Sequence, residues 1–113
     1  MDVIIYHNPR CSKSRLALEI IRNKKIEPKV IEYLKAGFSK EDIKKIINKL
    51  NLDIMAIMRP KDAKKIGLEL NTMSEKELIE AIIDQPSLIE RPIIIKGKKA
   101  IIARPPEKVL EII

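Results

Sequence analysis

One cysteine and one histidine serve the whole 113-residue chain. A lone thiol excludes an internal disulfide, and one cysteine with one histidine cannot furnish a Cys/His zinc site, so no metal is expected. Tryptophan is absent and aromatics make up 3% of the residues. The core must therefore be built from Ile and Leu, and only Tyr6, Tyr33 and Phe38 could stack on bases. No apolar run approaches the ~18 residues of a membrane span. No signal-peptide pattern precedes the first apolar stretch, since Asp2 follows Met1 directly, and no repeat, low-complexity segment or linker interrupts the chain. A cytoplasmic location is expected, in a reducing compartment that suits an exposed thiol.

What is present is charge and aliphatic surface. Charged residues make up 35% of the chain and apolar ones 45%, with a net charge of +7 and a pI of about 9.6. Most of the excess is lysine spread over helical faces, such as Lys44, Lys45, Lys64 and Lys65, and no nucleic-acid-binding signature accompanies it. A small anionic substrate explains the positive balance at least as well. The length suits a single domain, residues 1–113, burying roughly two thirds of its unfolded surface in one core.

The chemistry concentrates between Tyr6 and Arg15. The apolar run Val3, Ile4, Ile5 gives way to Tyr6-His7-Asn8-Pro9-Arg10-Cys11-Ser12-Lys13-Ser14-Arg15, and a helical pattern follows. A strand that empties through a tight loop into a helix puts Cys11 at or near a helix N-terminus. There the unsatisfied N–H groups and the helix dipole favour an anion and lower a thiol pKa. Arg10, Lys13 and Arg15 act in the same direction. The residues point to a reactive thiolate in an oxyanion-binding loop, with a small buried structural cysteine as the open alternative. His7, if charged, would stabilise the thiolate; a satisfied histidine at the core edge is its alternative.

Along the chain, residues 2–6 read as a buried strand and 12–24 as a helix with Leu16, Ala17, Ile20 and Ile21 inward. A second strand over 29–34 follows the break at Glu27-Pro28, so the two strands should be parallel. Ser39 with Asp42, and Ser74 with Glu77, have capping-box spacing. Ile43, Ile46, Ile47 and Leu50, then Leu78, Ile79, Ile82 and Ile83, supply apolar helix faces. Short helical segments are expected over 53–58 and 64–68, which makes 39–88 a helical block. Two strands, 93–96 and 99–103, form a hairpin around Gly97-Lys98, and Pro105-Pro106 opens a last helix. The order β-α-β, helical insertion, β-β-α resembles the α/β thioredoxin or glutaredoxin fold. It predicts that Pro92, just ahead of the hairpin, is a cis-proline facing the Cys11 loop.

Taken together, these motifs resemble the arsenate reductase family of glutaredoxin-like proteins. Tyr6-His7-Asn8-Pro9-x-Cys11-x-x-Ser14-Arg15 matches its active-site loop. Arg59 closes a short apolar helix, Glu90-Arg91-Pro92-Ile93 resembles the arginine–cis-proline strand, and Ala103-Arg104-Pro105 resembles the C-terminal signature. The Cys-Ser-Lys-Ser-Arg version is most similar to a compact, single-cysteine branch of the family. The resemblance implies that Cys11 attacks arsenate to form a thiol-arsenate adduct, while His7 and Ser14 keep the thiolate. Arg59, Arg91 and Arg104 would cradle the oxyanion. Glutathione would then attack the adduct and glutaredoxin resolve the mixed disulfide, releasing arsenite with no bound cofactor.

The residue chemistry agrees. Paired, charge-assisted hydrogen bonds from guanidiniums suit a tetrahedral dianion, and the chain spends three of only six arginines at these loop junctions. With one cysteine, the resolving thiol must come from outside. Two rivals stand beside this reading. One is a redox-linked interaction module resembling the Spx regulators, which typically carry Cys-x-x-Cys where this chain has Ser14. The other is a monothiol glutaredoxin-like protein, which would leave the three arginines without a role. A monomer without nucleic-acid or membrane partners is expected.

Overall fold

The computed structural model describes residues 2–113. Four strands form one mixed sheet in the order β2-β1-β3-β4. β1 (Val3–His7) runs parallel to β2 (Lys29–Glu32), and α1 (Ser12–Asn23) connects them. β3 (Ile93–Lys96) lies antiparallel to β1 on its other side and forms the hairpin with β4 (Lys99–Ile102). Gly97 turns that hairpin with φ of 60°, a conformation that costs glycine little because it has no Cβ. This is the thioredoxin-like topology that the alternation of strands and helices implied.

The chain packs as two compact units, one made of Met1–Ala36 with Arg91–Ile113 and the other of Gly37–Glu90. In the first, Ile5 stands opposite Val30 on one side and Ile94 on the other. Val3, Ile5 and Ile94 pack against Ala17 and Ile21 of α1 and against Val109 of the 3-10 turn Pro106–Glu111. Burying such a side chain contributes about 2 kcal/mol, so this layer fixes where α1 starts and hence where Cys11 stands. Tyr6, Ile93 and Ile95 are buried as well, as a strand covered on both faces requires.

The second unit holds α3 (Lys40–Leu50), α4 (Pro60–Lys65) and α5 (Glu75–Asp84), with 3-10 turns at Ile54–Ile57, Leu70–Thr72 and Pro86–Leu88. Both capping boxes form. Ser39 Oγ accepts from the Asp42 N–H and Asp42 accepts from the Ser39 N–H at 2.9 Å; Ser74 and Glu77 do the same. Ile43, Ile46, Ile57, Leu78, Ile79, Ile82 and Leu88 are buried.

Several local expectations shift. β2 stops at Glu32, because Tyr33–Ala36 turns into a short helix, α2, that buries Tyr33. The segment expected over 64–68 begins instead at Pro60, whose fixed φ suits the first helical position, and Gly67 at φ 81° ends that region. The last helix is a single 3-10 stretch, Pro106–Glu111. Leu16 is exposed while Ser14 is fully buried, so α1 is rotated toward the loop relative to its apolar pattern. Among the described residues, no helix is long and apolar enough to cross a membrane.

Candidate active site

The loop after β1 is built by its own backbone. The Cys11 N–H donates to the Asn8 carbonyl at 3.0 Å, a turn with Pro9 at the position where a preset φ is favoured. The Arg10 N–H donates to Asn8 Oδ1 at 3.0 Å. Asn8 is buried and shapes the loop through both its carbonyl and its side chain, a role for which the Asn-Pro pair is the local signal. Arg15 closes the turn from the helix side by donating to the Pro9 carbonyl at 2.9 Å.

This turn delivers Cys11 to the N-cap of α1 in extended backbone conformation (φ −94°, ψ 121°). The N-cap is where a side chain faces the orphan N–H groups of the first turn. Cys11 is only partly exposed, and burial alone would raise its pKa. The Ser14 N–H, the Arg91 side chain and the Lys13 N–H outweigh burial and hold the thiol below its ordinary value. The loop thus favours a thiolate, as the sequence position implied.

His7 and Ser14 form a buried pair behind that thiolate. His7 Nδ1 lies 2.6 Å from Ser14 Oγ, which also accepts the Asn8 N–H at 3.0 Å. With its oxygen accepting from Asn8, the Ser14 hydroxyl is placed to donate its proton to Nδ1 of a neutral imidazole. Burial is the main cause that lowers the His7 pKa; Glu32 opposes it, and Arg22 and Arg15 reinforce it. Burial thus favours the neutral imidazole, and His7 meets the loop through its contact with Ser14.

Arg91 stands beside Cys11, and its Nε is buried with no hydrogen-bond partner among the described residues. A buried guanidinium N–H is costly to leave without an acceptor, so this donor favours an oxygen-bearing ligand beside Cys11. Arg104 Nη1 donates to the Arg91 carbonyl at 3.1 Å. Ala103 ties the same segment to the Pro92 carbonyl at 3.0 Å. The Arg91–Pro92 bond is cis, and so is Arg104–Pro105, which the sequence did not signal. Cys11, His7, Ser14, Arg91, Pro92 and Arg104 all belong to the first unit.

Arg59 belongs to the second unit. It is the N-cap of α4, its N–H donates to the Leu88 carbonyl at 2.7 Å, and its guanidinium pairs with Asp62 and, at 4.0 Å, with Glu90. Its charge is thus shared with two carboxylates, which the sequence reading did not anticipate. Among the described residues, no group of His, Cys, Asp and Glu side chains is placed to hold a metal ion.

The thiol shift has a direct measurement. Iodoacetamide alkylation of the folded chain should reach half its maximal rate below the ordinary thiol value of about 8.5, and the urea-unfolded chain at that value. Because the folded pKa is the lower one, this linkage stabilises the fold above the unfolded pKa. That stability is lost as pH falls through the folded pKa. Coincident midpoints would exclude a thiolate-stabilising loop.

Comparison with known proteins identifies relatives over the whole chain. Over its full length the chain is 47% identical to an arsenate reductase of Haemophilus influenzae, which it also covers fully. It is 40% identical to an arsenate reductase of Neisseria meningitidis, over 96% of this chain and 95% of that one. The solved arsenate reductase of Vibrio cholerae superposes with a TM-score of 0.89 at 41% identity, covering 100% of this chain and 98% of the other. The ArsC family model matches residues 6–112, a span that takes in the Cys11 loop, the Arg91–Pro92 strand and the Arg104 turn, and the chain belongs to the ArsC family.

Proposed function

We propose that the chain is a single-cysteine arsenate reductase. The observation that carries this reading is Cys11, its pKa lowered, at the N-cap of α1 beside Arg91, whose buried Nε has no partner among the described residues. Such a pair suits a tetrahedral oxyanion, which takes up the orphan donor while presenting its central atom to sulfur. The arsenate reductase relatives support arsenate as that oxyanion.

The Cys11 thiolate attacks arsenic, the arsenic–hydroxyl bond breaks, and the departing hydroxyl takes a proton from solvent and leaves as water, giving a sulfur–arsenic(V) adduct. Arg91 and Arg104 hold the remaining oxygens, and the family pattern adds Arg59. Ser14 keeps its backbone N–H on the sulfur, and neutral His7 fixes the Ser14 hydroxyl. An external thiolate then attacks the Cys11 sulfur. A disulfide bond forms, the sulfur–arsenic pair of electrons stays with arsenic, and arsenite leaves as arsenic(III). Glutathione supplies this thiol, and glutaredoxin reduces the mixed disulfide to regenerate Cys11. We take the chain to act in the cytoplasm as a monomeric single domain, with no bound cofactor.

The test is arsenite production by the purified chain with arsenate, glutathione, glutaredoxin and a regenerating system, with thioredoxin as the alternative donor. Turnover with glutathione and glutaredoxin is expected. Turnover with thioredoxin alone would replace the donor, and none with any donor would remove the reductase reading.

A further inference from the structure

A cavity of about 390 Å³ opens beside His7, lined by Pro9, Arg15, Leu18, Glu19 and Arg22 among others. Its size is that of a small-ligand site. The helix period explains its shape. Arg15, Leu18, Glu19 and Arg22 follow one another at i, i+3, i+4 and i+7 on α1, so they share one face of the helix. Arg15 lies four residues beyond Cys11, so the stripe leads away from the thiolate. At ~1.5 Å rise per residue, Arg15 is about 6 Å and Arg22 about 16 Å along the axis from Cys11.

The charges along this groove are specific. Arg15 is fixed at the loop end by its bond to the Pro9 carbonyl at 2.9 Å. Arg22 is oriented at the far end by a two-point pair with Glu27 (3.1 and 3.0 Å), which leaves Nη1 outside the pair. Glu19 contributes the opposite charge between them, with Leu18 as an apolar wall. The complement is a molecule with carboxylates at its ends and an ammonium group between or beside them.

We propose that this groove binds the external thiol, and that it selects a small peptide thiol bearing carboxylates and an ammonium group over an uncharged one. The inference rests on the reading that the resolving thiol comes from outside the chain. Carboxylates on Arg15 and Arg22 would hold the ligand along α1 with its sulfur directed to Cys11. A tripeptide, about 10 Å when extended, bridges this span together with the arginine side chains. Leu18 excludes water from one side of the ligand without adding charge.

The reaction that tests this needs no arsenate. The Cys11 thiolate attacks one sulfur of a disulfide, the sulfur–sulfur bond breaks, a mixed disulfide forms on Cys11 and one thiolate leaves. Rates with oxidised glutathione and with uncharged hydroxyethyl disulfide are measured by mass spectrometry, and their ratio cancels changes in Cys11 itself. Arg22→Gln and Arg15→Gln should each lower that ratio about tenfold, as loss of one charge-assisted hydrogen bond does. In parallel, S-methylglutathione, which cannot react, should shift the backbone NMR signals of residues 15–23 in the native chain.

An unchanged ratio in both variants, or shifts confined to other residues, would overturn the assignment. Should Arg15→Gln fail to fold, Arg22→Gln and the titration decide it. A lowered ratio in a protein that produces no arsenite would keep the groove and discard the arsenate reading, so the two failures are distinguishable.

Discussion

A Cys11→Ser chain should lose arsenite production by more than about 10³-fold, since the hydroxyl at neutral pH is no substitute for a thiolate nucleophile. Its stability should change little. Cys11 occupies the N-cap of α1 with its sulfur facing the Lys13 and Ser14 N–H groups, and serine is among the residues whose oxygen accepts from the N2 and N3 N–H groups. The substitution therefore replaces one acceptor with another at the same N-cap, a change of at most about 1 kcal/mol. Urea unfolding beside the arsenite assay reads both effects. Retained turnover would end the nucleophile assignment. A stability loss of several kcal/mol would support the structural alternative, a cysteine held for its packing.

Arg91→Lys should raise the KM for arsenate by roughly ten- to a hundredfold, because a point charge replaces a planar fork with several fixed donors. The same variant should raise the Cys11 pKa, since the Arg91 side chain is among the groups that lower it. The two readouts separate binding from activation. A higher KM with an unmoved alkylation midpoint would mean that Arg91 serves the oxyanion alone. A moved midpoint with unchanged KM would make it a thiolate-positioning residue. If neither changes, Arg91 has no place in the site. Arg104 is expected to act partly through Arg91, because it donates to the Arg91 carbonyl at 3.1 Å and so holds the backbone from which that side chain projects.

Residues that act on near neighbours were legible in the chain. Ser39 with Asp42 and Ser74 with Glu77 close their capping boxes across three residues. Gly97 turns the hairpin at a left-handed φ. Cys11 reached the N-cap because a buried strand, Asn8-Pro9 and a helical period meet there. Where the sequence misled, the pattern was ambiguous over a short span. Leu16 fits the apolar period of α1 as well as Leu18 does, yet Leu16 is exposed. Ser14 looks like a surface residue, yet it is buried because its hydroxyl is satisfied by His7 and Asn8.

The sequence by itself determined the order of elements, the sites of chain reversal and the position of the thiol at a helix start. Each depends on hydrogen bonds and side-chain periods within a few residues. Only the tertiary structure decided the charges. Burial lowers the His7 pKa, although the histidine and its arginine neighbours are plain in the sequence. The antiparallel placement of β3 against β1 brings Arg91 to Cys11 across 80 positions of chain. Asp62 and Glu90 share the charge of Arg59. Desolvation and long-range pairing depend on what folds over a residue, and the sequence around it does not carry that information.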